Sequence, residues 1–232
     1  MHVPAGSGGR SLRYSSPTWE AHPIERGAPL IGQQWTAADR PKMVDMEERS
    51  IQDSLTRIVN EIDGAAALPD APALAAAVEL TADVRRVFVH GAGRSGLALR
   101  MTAMRLMHLG LQVHVVGETT TPAIEEGDLL LTASGSGTTS SVVSAAETAR
   151  SVGARVIGIT TDPESPLAHL SHAVLVIRAA TKTDRSEQQS AQYAGSLFEQ
   201  LLVLVGDALF DVLWQKSGQS ADELWPRHAN LE

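Results

Sequence analysis

The sequence predicts an α/β fold, a doubly wound five-stranded parallel sheet with helices on both faces. Five short apolar runs, at 87–89, 113–116, 129–132, 156–159 and 174–177, suit strands buried on both faces. Helical patterns at 95–109 and 139–152 lie between them, as βα units with parallel strands require. With 232 residues, 43% of them hydrophobic, the chain can close one ordinary domain around a core.

Residues 1–42 hold five of the eleven prolines and no helical or alternating apolar period, so they are expected to form a disordered extension. Five basic side chains there oppose three acidic ones, a net charge of +2, which leaves −10 on residues 43–232. Met43 and Met46 stand where periodic sequence begins, so the extension reads either as an upstream start or as a regulatory arm. From Met46 the series Ile51, Leu55, Ile58, Val59 and Ile62 has helical spacing, and an alanine-rich helix follows at 71–82. The connection from the second strand to the third shows no clear helix. A last helix over 192–215 is apolar nearly all round, which implies burial on several sides and room for an oligomer interface.

The formal net charge of −8 argues against a broad grip on nucleic acid or anionic lipid, so an anionic ligand would need local donors. No apolar run approaches the roughly eighteen residues of a membrane span, and the first residues lack the apolar core of a secretory signal. There is no cysteine, hence no disulfide and no thiolate metal site. The expectation is a cytoplasmic protein.

Two glycine-rich loops carry the chemistry. The first strand runs into Gly91-Ala92-Gly93-Arg94-Ser95-Gly96 and then a helix, the setting in which backbone N–H groups meet an anion. Formally this is a dinucleotide fingerprint, and Glu118 falls where such a fold keeps its ribose-binding acid. The second loop, Ser134-Gly135-Ser136-Gly137-Thr138-Thr139-Ser140, is one a dinucleotide site does not need. Its glycines permit close backbone approach, its hydroxyls donate, and the helix behind it adds a favourable field, which together suit one phosphate monoester. It has no lysine, unlike a triphosphate loop. A merely capped turn is the alternative.

These loops resemble those of the SIS (sugar isomerase) domain, whose flavodoxin-like sheet matches the order of elements expected here. Thr181-Lys182, the stretch Gly195-Ser196-Leu197-Phe198-Glu199-Gln200 and the terminal Arg227-His228-Ala229-Asn230-Leu231-Glu232 are similar to the 6-phospho-3-hexuloisomerase family within it. The resemblance covers about 46–232. One departure stands out: the family reads Gln-Pro-Met before the Gly-Ser pair, whereas Gln192 is followed by Tyr193 and Ala194.

The resemblance implies interconversion of a 3-keto hexose 6-phosphate and fructose 6-phosphate through an enediol, with no redox cofactor and no metal. It implies a homotetramer, a small-molecule sugar phosphate as ligand and a 3-hexulose-6-phosphate synthase as functional partner in formaldehyde fixation or detoxification. An arabinose 5-phosphate isomerase and a non-catalytic sugar-phosphate sensor are the alternatives. Glu199 is the expected base, since its helix neighbours Gly195, Ser196, Leu202 and Val203 offer no cation and little polarity. His228 is the expected acid–base partner, in its own or a neighbouring subunit. Gly93, Arg94, Ser95, Ser134, Ser136, Thr138 and Thr139 are expected to hold the phosphate end, with Lys182 as a further substrate contact. Arg94 could equally pair with an acid such as Glu118. His169 and His172 lie in an expected loop and lack the carboxylate–histidine set of a metal site. His90, at the end of the first strand, reads as a structural histidine.

Overall fold

A computed structural model describes residues 51–65, 71–180 and 190–231. The expected extension at 1–42, the start of the first helical pattern and Lys182 lie outside the described residues. The order of elements is α1 (Ile51–Ala65), α2 (Ala71–Ala82), β1 (Arg86–Gly91), α3 (Gly93–His108), β2 (Gln112–Val115), β3 (Leu129–Ala133), α4 (Ser140–Ser151), β4 (Arg155–Thr160), α5 (Pro166–Leu170), β5 (Ala173–Val176), α6 (Ser196–Ser217) and α7 (Ala221–Leu224), followed by a 3-10 turn at Trp225–Arg227.

All five strands are parallel, in the spatial order β2-β1-β3-β4-β5. The chain winds outward from β1 through α3 to β2, then returns beside β1 and winds the other way through α4 and α5. The reversal leaves a crevice between β1 and β3 at the carboxyl edge, where open α/β sheets hold their ligands. Both glycine-rich loops leave that edge at that point.

Alternation along the strands builds two cores. Val87, Val89, Leu129, Leu131, Ile157, Ile159 and Leu175 face α2, α3 and α6, with Leu99, Leu106, Leu201 and Leu202 packed into the same layer. Phe88, Leu130 and Val156 face Val142, Ala146 and Leu167 of α4 and α5. Burial on both faces is why these strands read as continuous apolar runs. No helix forms between β2 and β3, as expected; instead Arg86 bonds Asp128 Oδ1 at 2.8 Å and Glu125 Oε2 at 2.9 Å, pinning the end of that connection to the start of β1.

Three expectations are corrected. The segment carrying His169 is a short helix, because Ser165 caps it by accepting from the Ala168 N–H and Pro166 fits its first turn. The last long helix begins at Ser196 rather than 192, since Ala194 and Gly195 take left-handed backbone, with φ of 49° and 80°, which no helix interior accommodates. Its burial is one-sided in its second half: Val205, Leu209 and Leu213 are buried, while Leu204 and Val212 are exposed.

Candidate active site

The second glycine-rich loop is anchored mainly by the neighbouring strand. Gly135 O accepts from the Thr161 N–H at 3.0 Å, from Thr161 Oγ1 at 2.8 Å and from Thr160 Oγ1 at 3.1 Å. The Ser134 N–H donates to Ile159 O at 3.0 Å and the Leu167 N–H to Gly137 O at 3.1 Å. Gly137 is required twice over: its φ is +62°, and a β-carbon there would collide with the Ser165 side chain. Thr160, Thr161 and Ser165 therefore shape the loop, and sequence reasoning passed over them. Their signal was a run of hydroxyls just beyond the carboxyl end of a buried strand.

Within the loop, the Ser134 and Thr139 hydroxyls bond each other at 2.8 Å, and those of Ser136 and Thr138 at 2.9 Å. No side chain caps the N-terminus of α4 or of α3, and both N-termini lie at the carboxyl edge of the sheet, beside the crevice. Ser95 is buried in the first turn of α3. Gly91 and Gly96 touch backbone to backbone, and a β-carbon at Gly96 would strike Gly91 O, which fixes the tight entry into α3. Two helix N-termini and a hydroxyl-lined loop thus meet at one place, an arrangement suited to a small anion.

Glu199 joins this place from α6. It is buried, at 5% exposure, in the first turn of that helix. A β-carbon at Gly135 would sit 3.5 Å from the ring of Phe198, so the loop lies directly against the residue preceding Glu199. The expectation that no cation neighbours Glu199 holds along α6 and fails across helices: Arg94 Nε donates to Glu199 Oε2. The ion pair supplies the opposite charge that a buried carboxylate needs. Glu118 pairs instead with Arg100, at 2.7 Å. Arg94 is thus committed to the site rather than to the position of a ribose-binding acid.

His228 is not in this cluster. It stacks on His108 with ring centroids 4.0 Å apart and packs against Trp225, while Arg227 donates to His108 O at 2.8 Å and to Gln219 Oε1 at 2.9 Å. His108 is the last residue of α3 and Ser95 lies in its first turn, so about 20 Å of helix separates His228 from the loops of its own chain. Burial holds His108 below the usual histidine range, helped by the neighbouring His228 and Arg105.

Three other histidines have local roles. His90 is half-buried and bonds the Ser141 backbone at the start of α4; burial lowers its pKa. His172 Nδ1 accepts from the Val156 N–H at 2.9 Å, and His169 lies 3.7 Å from Glu164. His169 and His172 therefore serve different partners. Beside the cluster, a cavity of about 580 Å³ opens between α1, the end of β4 and the start of α6, lined by Glu61, Gly64, Thr161, Arg178 and Leu197.

The profile of the SIS domain matches residues 80–204, a span from α2 to α6 that contains both loops and Glu199. The chain is 54% identical, over 84% of its length and 98% of the relative's, to a 3-hexulose-6-phosphate isomerase of Mycobacterium gastri. It is 40% identical to a protein of the same name from Bacillus subtilis, over 63% of this chain and 80% of the other. A crystal structure from Methanococcus jannaschii, for which a molecular function of 3-hexulose-6-phosphate isomerase is inferred, superposes with a TM-score of 0.66 at 27% identity, covering 78% of this chain and 99% of the other. With fold, loops and sequence in agreement, the chain belongs to the SIS domain family.

Proposed function

We propose that this protein is a 3-hexulose-6-phosphate isomerase, interconverting 3-hexulose 6-phosphate and fructose 6-phosphate through an enediol. The observation that carries the reading is the buried Glu199 carboxylate, ion-paired to Arg94 and packed beside a hydroxyl-lined loop, together with the high identity to relatives of that name. A sensor needs an anion cradle but has no use for a desolvated carboxylate beside it.

In this reading the phosphate rests on Ser95, Ser134, Ser136, Thr138 and Thr139, with Gly93 shaping the turn beneath it. Two helix N-termini and several hydroxyls then carry what a lysine would otherwise do. Lys182 is a further substrate contact. Glu199 takes the proton from C3 of fructose 6-phosphate while the acid–base partner protonates O2 to give the 2,3-enediol; Glu199 then returns its proton to C2 as the partner takes the O3–H proton, which leaves a hydroxyl at C2 and the carbonyl at C3. Arg94 stands next to the carboxylate, placed to stabilise negative charge on the enediol oxygens. Neither a hydride nor an electron acceptor is required by this proton shuttle.

His228 serves as the acid–base partner in the site of a neighbouring subunit. Its distance from the loops of its own chain supports this. So does the exposed apolar stripe Leu97, Met101 and Met104 along α3, continued by Leu204 on α6, a surface suited to a second copy. If two copies of α3 pack antiparallel, the His228 end of one meets the Arg94 end of the other. The full assembly is a homotetramer in this reading. In this reading residues 1–42 are an extension outside the SIS domain at 43–232. The protein works in the cytoplasm, where a 3-hexulose-6-phosphate synthase supplies its substrate from formaldehyde.

The test is proton exchange. Fructose 6-phosphate incubated with the protein in D2O should lose its C3 proton signal in the NMR spectrum, and Glu199→Gln should abolish the exchange. A C3 proton retained over many equivalents of enzyme would contradict the route.

A further inference from the structure

The turn that introduces α6 is held by a residue from the far end of the sequence. Glu61 lies on α1, a helix with no fully buried side chain. Its carboxylate accepts three hydrogen bonds from three consecutive residues: Ser190 Oγ at 2.6 Å and Gln192 Nε2 at 3.1 Å on Oε2, and the Ala191 N–H at 3.1 Å on Oε1. The Gln192 N–H donates in turn to Ser190 Oγ at 3.0 Å, and Gln200 Nε2 donates to Gln192 Oε1 at 2.9 Å. Gln200 is the next residue after Glu199, so a continuous chain of bonds runs from Glu61 to the neighbour of the expected base.

The turn needs such support. Among the described residues, Ala194 is the only non-glycine with left-handed backbone, at φ 49°. A strained residue persists only where its surroundings over-determine it. Ser196 bonds back to Tyr193 O through both its N–H, at 3.2 Å, and its hydroxyl, at 2.7 Å, bonds that close the turn on itself. The Glu61 carboxylate ties it to α1, where Arg57 Nη1 also donates to Ala191 O at 3.4 Å. Partial burial pushes the Glu61 pKa up, but the bonds from Ser190, Gln192 and Ala191 and the charge of Arg57 outweigh it and hold the carboxyl below its ordinary value. Glu61 is therefore a charged acceptor at neutral pH. Among the described residues, Arg57 on the same helix and Arg178 across the cavity are cationic side chains near it.

We propose that Glu61 is a positioning residue for the isomerase reaction: through Ser190, Ala191 and Gln192 it sets the turn at 190–195 and so the placement of Glu199 against the sugar. The proposal rests on the isomerase reading for its kinetic consequence, and its structural half stands apart from it. Loss of the anchor should act on the chemical step rather than on the phosphate cradle, which α3, α4 and the hydroxyls beyond β4 hold in the main.

Glu61→Ala is expected to lower kcat about 10- to 100-fold, the scale on which small misplacement of a reacting group acts, with KM within about threefold of wild type. Glu61→Gln, which keeps one acceptor oxygen, should lose less. A residue that only stabilises the fold would lower Tm and leave kcat per folded molecule unchanged, and that result would overturn the proposal. Amide hydrogen exchange is read on the same proteins: Ala191–Gln200 should exchange faster in Glu61→Ala, with α4 unaffected. Unchanged protection across Ala191–Gln200 overturns the proposal whatever the kinetics. Should Glu61→Ala not fold, Gln192→Ala breaks the same chain of bonds and must reproduce the kcat loss. An inert wild type with faster exchange in Glu61→Ala would contradict the isomerase reading while supporting the anchor.

Discussion

Arg94 and Glu199, 105 residues apart in sequence, form an ion pair across the first turns of α3 and α6. The Glu199 side chain is buried and that of Arg94 is 63% exposed. Arg94→Ala would leave a desolvated carboxylate without this cation, and turnover should fall about tenfold or more. Arg94→Lys keeps the charge but not the planar fork and should fall between the two. Steady-state kinetics on the three proteins checks the order; equal rates would remove Arg94 from the site.

The separation of His228 from Glu199 within one chain leads to a mixing experiment. Glu199→Gln should lower kcat by roughly 10² to 10⁴ while substrate still binds, and His228→Gln should also be impaired. Co-expressed, the two variants form mixed assemblies in which about a quarter of the shared sites regain both groups. Activity well above either parent is expected. No recovery would mean that His228 does not act across an interface.

Gly137→Ala tests the loop. A left-handed alanine costs about 1 kcal/mol and the collision with Ser165 about 1–3 kcal/mol more. The variant should melt at lower temperature and, where folded, show a raised KM for the sugar phosphate. Thermal melts and kinetics at several substrate concentrations check both effects.

Stability should depend on pH through the buried histidine at the end of α3. His108 has a folded-state pKa below 6.5, because of burial first and the charges of His228 and Arg105 second. The unfolded chain then binds more protons, so stability is fully present above about pH 6.5 and is lost as pH falls through the folded value. His90 and His172, lowered for the same leading reason, add to the slope. Tm measured from pH 7.5 to 5 should fall, and His108→Gln should flatten part of that fall. An unchanged slope in His108→Gln would exclude His108 as a source.

The sheet was legible because strands buried on both faces must be apolar throughout, and Leu129–Ala133 advertises this most plainly. The two loops were legible because glycine and hydroxyl residues after buried strands have few other uses. Glu199 stood out as a candidate base through its stretch of α6, but its ion pair with Arg94 was not legible, since nothing local links positions 94 and 199. The same reason hid Glu61, which reaches Ser190 across 129 residues. α5 escaped because two prolines beside polar residues suggest a loop, whereas Pro166 starts a helix when Ser165 caps it. The left-handed Ala194 has no signature in sequence at all: alanine is a good helix former, and only the bonds around it hold the turn open.

Isomerase activity is read by following fructose 6-phosphate made from a synthase-generated substrate. Ribulose 5-phosphate, formaldehyde and a hexulose-phosphate synthase are combined with this protein, phosphoglucose isomerase, glucose-6-phosphate dehydrogenase and NADP, and absorbance of NADPH is recorded. NADPH should form only when this protein is present and should nearly disappear with Glu199→Gln. No formation with folded protein, or full activity in Glu199→Gln, would contradict that expectation.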